Sequence, residues 1–170
     1  IREIREQERN GAGGNGGAVR PVEITNRSIR LLCRLFLTDP AVKQKLGATP
    51  LPEFLSDVPE SELLAMIWKG QYDPANPASV HAFIAVLPGA EQKAIDQIMK
   101  EVIPGASADW ANHCLLNLER QGLQNRIAMI KARLGDEGLP VDEVNRMTRE
   151  LLELQGRRRE IASGNEANPG

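Results

Sequence analysis

Aromatic residues are scarce, at 4% of a 170-residue chain. A core must therefore come from Leu, Ile, Val, Ala and Met, which suits packed helices better than a sandwich of β-branched and aromatic strands. An excess of positive charge is missing too. With a formal net charge of −2, the chain lacks the bulk positive charge that holds a protein on nucleic-acid phosphates. The only cysteines, Cys33 and Cys114, sit inside apolar helical patterns where a free thiol behaves as a small hydrophobe. They make no disulfide framework, and a reducing, cytoplasmic setting is expected. No run of about eighteen apolar residues occurs, and the N-terminus is charged rather than signal-like, so neither membrane insertion nor secretion is supported.

Converging polar residues are lacking as well. Zinc wants several N or S ligands close together, whereas His113 and Cys114 on one helix point about 100° apart and His81 stands alone. The carboxylates Glu60, Glu62, Glu91, Asp96 and Glu101 fall in first helical turns or on outward faces, where they offset the helix dipole. Ser28, Ser56, Ser61, Ser79 and Ser107 have no His and carboxylate placed to activate them. The glycine run Asn10–Gly17 lacks the strand, helix and Lys-Ser/Thr context of a phosphate loop. No catalytic centre, cofactor, metal or small-molecule substrate is expected.

Hydrophobic residues, 41% of the chain, are enough for a core, and their spacing is helical throughout. The expected fold class is all-α: a multi-helix globular bundle, then a C-terminal antiparallel helical hairpin that shares a long helix with the bundle. Residues 1–22 read as a flexible charged and Gly-rich linker. Because the chain opens at Ile1 rather than Met, it reads as a piece of something longer. The bundle is assigned to 23–121, the hairpin to 122–163, and a polar disordered tail to 164–170.

Within the bundle, Thr25 or Asn26 caps a helix over 27–37 that is stopped by Asp39-Pro40. Short helices follow at 41–46, 51–55, after a capping box at Ser61, and at 79–87. The helix 90–102 places Ala94, Ile95, Ile98, Met99 and Val102 on one face. Pro104-Gly105 then ends it, and Ser107 caps the long helix. In that helix Leu116, Leu123, Ile127, Ile130 and Leu134 form one apolar stripe. After Gly135-Asp136-Glu137-Gly138-Leu139-Pro140, a second stripe runs through Val144, Met147, Leu151, Leu154 and Ile161. So short a connection folds the arms back antiparallel, stripe against stripe. Gly122, a poor helix former inside the long helix, is the expected hinge. The one basic cluster is Arg157-Arg158-Arg159, after Arg146 and Arg149. Its charge complements a helix C-terminus and could also serve an acidic partner surface or a nucleic-acid phosphate.

The order of parts resembles the C-terminal, helicase-binding domain of bacterial replicative DNA primases. Residues 24–40, a leucine-rich run closed by Asp39-Pro40, look like that family's opening helix. Ala111-Asn112-His113-Cys114-Leu115-Leu116-Asn117-Leu118 is similar to its A-x-x-C-L-x-x-L start of the long helix, and 126–134 to its first hairpin arm. The resemblance spans roughly 24–163 and implies an interaction domain, not itself an enzyme. Upstream regions would be a DNA-directed RNA polymerase using zinc and magnesium. The implied partner is the collar of the hexameric replicative helicase, met at the replication fork, and some family members also contact single-stranded-DNA-binding protein. Carried onto this chain, the hairpin's outer surface and tip supply the partner-binding candidates Leu139, Val141, Arg146, Arg149, Leu152, Arg157, Arg158 and Ile161. Two other readings stand beside it. One is the N-terminal domain of the replicative helicase itself, which shares this fold, and the other is a helical nucleic-acid-binding domain using the arginines.

Overall fold

A single helix, α1 (Arg27–Thr38), forms the axis on which most of the other bundle helices pack. The computed structural model describes the backbone of residues 22–102 and 108–166. Among them it contains seven α-helices, one 3₁₀ segment and no strand. The Asn26 side-chain oxygen accepts from the amides of Ser28 (3.0 Å) and Ile29 (3.3 Å), satisfying donors that the first turn leaves unpaired. Ile29, Leu32, Cys33 and Phe36 are fully buried along α1.

Asp39 ends α1 and caps the next helix, α2 (Pro40–Gly47), accepting from Ala41 N at 2.9 Å with proline in the first turn. The 3₁₀ segment Glu53–Asp57 follows, then α3 (Glu62–Lys69), α4 (Pro77–Ala85) and α5 (Gly89–Lys100). These contribute Leu55, Leu63, Leu64, Ile67, Trp68, Val80, Ala94, Ile95 and Ile98 to the same core.

The long helix α6 (Ala108–Leu134) belongs to both halves of the molecule. Its first half buries Ala111, Cys114 and Leu118 in the bundle core. Its second half buries Leu123, Ile127 and Ile130, which stand apart from that core. They meet α7 (Val141–Glu166), where Met147 and Ile161 are buried and Val144, Leu151 and Leu154 half-buried. Gly138 turns the chain between the arms at φ +85°, a conformation that a Cβ disfavours.

Several expectations are corrected in detail. The short helix expected at 51–55 is the 3₁₀ segment Glu53–Asp57, and α4 starts at Pro77, two residues early, because Asn76 caps it through the amides of Ala78 (3.1 Å) and Ser79 (3.4 Å). Ser61 makes no capping box. Its hydroxyl turns inward and donates to the Leu55 carbonyl at 2.7 Å, and no Glu or Gln stands three residues on to complete the motif. Met99 and Val102 do not share the buried face of α5: Val102 lies beyond the last turn and is 88% exposed.

Val22, assigned to the linker, packs against the core, and α7 continues to Glu166 rather than fraying at 164. Residues 1–21, the Pro104-Gly105 stop, the Ser107 cap and residues 167–170 lie outside the described residues. No described helix is long and apolar enough to cross a membrane.

Candidate docking surface

The geometry of the hairpin follows from its two stripes, and three interhelical ion pairs record its register. Glu119 pairs with Arg157 (2.7 Å), Arg126 with Glu150 (2.8 Å) and Arg133 with Glu143 (3.4 Å), in steps of seven up one arm and seven down the other. Seven residues are close to two helical turns, so all three pairs stand on one flank of the seam. Each is at least partly solvated and contributes little alone, but together they oppose a slip of register. The Glu119 carboxylate, by hydrogen bond and by charge, holds the Arg157 guanidinium above its ordinary pKa.

The ion-pair flank faces the bundle. Leu51, Phe54, Gly122, Leu123, Arg126, Glu150 and Leu154 line a groove of about 610 Å³ between the 3₁₀ segment and the two arms. Gly122 lies at the contact: a Cβ built there would stand 2.6 Å from the Phe54 carbonyl oxygen. The expected hinge is therefore corrected, because α6 runs unbroken through Gly122 and glycine is required there by close packing. Asn125 reinforces the contact by donating to the Asp57 carbonyl at 2.9 Å.

The eight candidate contact residues do not share one surface. Val141 (73% exposed) and Leu152 (63%) stand out into solvent on α7. At about 100° per residue, Arg146 turns to a different side of the helix from that pair, whereas Arg149, three residues before Leu152, is its neighbour; both are exposed. Leu139 is half-buried in the turn, and Arg158 is exposed near the seam. Arg157 is engaged by Glu119 and, at 3.4 Å, by Glu160, so it ties the arms together as well as adding charge. Ile161 is corrected from contact residue to packing residue. At 5% exposure it closes the end of the seam, as its place in the second stripe requires.

The polar side chains that brace the bundle join positions far apart in sequence, where no local pattern announces them. Glu60, at φ +67°, accepts from the Thr25 amide, the Thr25 hydroxyl and the Asn26 amide, each at 2.9 Å. Partial desolvation pushes its carboxyl pKa up, but these three bonds outweigh it and leave the value lowered. Lys43 Nζ donates to the carbonyls of Ile67 (3.2 Å), Trp68 (3.0 Å) and Gly70 (2.8 Å), the open end of α3. It also lies 4.4 Å from the centre of the Tyr72 ring. Burial lowers its pKa. Arg34 does the same for α5, donating to the carbonyls of Ile98 (3.1 Å), Met99 (3.3 Å) and Glu101.

Cys33 and Cys114 are free and buried, and burial pushes both thiols upward. His81 and His113 are exposed, and no three described His, Cys, Asp or Glu residues are grouped to hold a metal ion. Comparison with family models, with curated proteins and with solved structures finds no match.

Proposed function

We propose that this chain is a protein-docking domain of the kind that bacterial replicative primases use to bind their hexameric helicase, with the hairpin as the anchor. The observation that carries the reading is the double membership of α6. Ala111, Cys114 and Leu118 root it in the bundle, while Leu123, Ile127 and Ile130 turn to α7. A projection rooted in this way presents partner-facing side chains at fixed positions, so little ordering entropy opposes association.

On α7 the apolar anchors Val141 and Leu152 are exposed, and a partner that covers them removes their surface from water. Recruitment of a primase to the replication fork and modulation of the helicase would follow from such a contact. The test is titration of the intact chain with the replicative helicase of the same cell, followed by calorimetry. A complex that Leu152→Asp weakens while the helical circular dichroism is unchanged supports the reading. No complex with the helicase at micromolar concentrations would sink it.

A further inference from the structure

We infer that the hairpin flank opposite its ion pairs is the docking face, and that it fits a helix carrying carboxylates beside an apolar stripe. The inference deepens the docking reading above by naming the chemistry of the partner surface.

Helical geometry divides the hairpin's charges unequally. The three interhelical pairs put Glu119, Glu143 and Glu150 on the flank next to the bundle. At about 100° per residue, Asp142 and Glu153 turn toward the same half of α7. The opposite flank, from Asn117 to Lys131 on α6 and from Val141 to Arg159 on α7, carries no carboxylate. It carries Arg120, Lys131 and Arg159, which have no ion-pair partner among the described residues.

The same flank is open. Gln124, Ala128, Lys131, Thr148, Leu152 and Arg159 are all exposed there, with Arg120 and Gln155 half-buried among them. Leu152 and Val141 bring apolar surface between these cations. A phosphate backbone would use the cations and leave Leu152 and Val141 in water. An acidic amphipathic helix laid along the two arms would use both, its stripe on Leu152 and Ala128 and its carboxylates on Lys131, Arg120 and Arg159. The charge pattern also gives specificity, because a basic helix would meet uncompensated like charge.

The test uses the full chain labelled for amide shift mapping at low salt and three probes. These are a helical peptide with a leucine stripe flanked by glutamates, the same peptide with lysines, and a short single-stranded oligodeoxynucleotide. The glutamate peptide should shift Gln124, Ala128, Lys131, Thr148 and Leu152. The double variant Arg120→Glu/Lys131→Glu should weaken it about five- to tenfold, less at high salt. Equal binding of both peptides, shifts confined to the Arg126–Glu150 flank, no binding of the glutamate peptide at millimolar concentration, or tighter binding of the oligonucleotide would each overturn the inference. The two readings fail separately. Helicase binding untouched by Arg120→Glu/Lys131→Glu and Leu152→Asp removes this face and leaves the recruitment reading standing. A mapped peptide site without helicase binding does the reverse.

Discussion

Gly122 and Gly156 are both glycines in the middle of a long helix, and their surroundings set them apart. A Cβ at Gly122 would meet the Phe54 carbonyl oxygen, whereas one at Gly156 would meet nothing within 4 Å. Gly122→Ala should cost about 1–3 kcal/mol through the forced shift of the 3₁₀ segment. Gly156→Ala should gain about 0.5–1 kcal/mol from helix propensity. Urea unfolding of the two variants checks this, and a stabilised Gly122→Ala would restore the hinge. Glu60 provides a pH test. Its folded-state pKa lies below that of the unfolded chain, so its contribution is present above the unfolded value of about 4.3 and is lost as pH falls through the lowered folded value. Glu60→Gln should therefore be less stable than the parent at pH 7, and the gap should narrow as acid is added. A gap independent of pH would show that the carboxylate charge plays no part.

At the scale of elements, the sequence made the helices legible and their long-range braces illegible. Asn26, Asp39-Pro40 and the two hairpin stripes are local signals of period and cap, and the helices follow them closely. The Ser61 hydroxyl went elsewhere because the Leu55 carbonyl, six residues back, competes for it. Lys43 over the end of α3 and Glu60 over the start of α1 arise from tertiary folding alone, and no periodicity encodes them. Of the contact candidates, Leu152 and Val141 were legible as outward apolar residues. Ile161 was not, because its outward assignment conflicted with its own stripe, and the stripe prevails. The hairpin's stability resides in that seam. Met147→Ala should cost about 2–5 kcal/mol, whereas a double-mutant cycle on the half-solvated Arg126–Glu150 pair should return only about 0.2–1 kcal/mol. Thermal unfolding of the five proteins measures both, and a coupling as large as the Met147 cost would make the ion pairs, rather than the stripes, what holds the arms together.

For the whole molecule, one helix joins a core-bearing bundle to a two-helix projection, and the charge of that projection is sorted by side. Carboxylates and their arginine partners share the flank next to the bundle, and the opposite flank carries cations without carboxylates beside exposed leucine and valine. A net charge of −2 conceals this, because summation over the chain erases which flank each charge occupies. The central claim is that the hairpin docks a helicase, and calorimetric titration of the intact chain with the replicative helicase of the same cell tests it most directly. The account predicts a saturable complex in the parent, weakened by Leu152→Asp and unaffected by an outward change on the bundle such as Val86→Asp. Absence of a complex in the parent, or a complex that Val86→Asp weakens and that no change on the hairpin weakens, would contradict it.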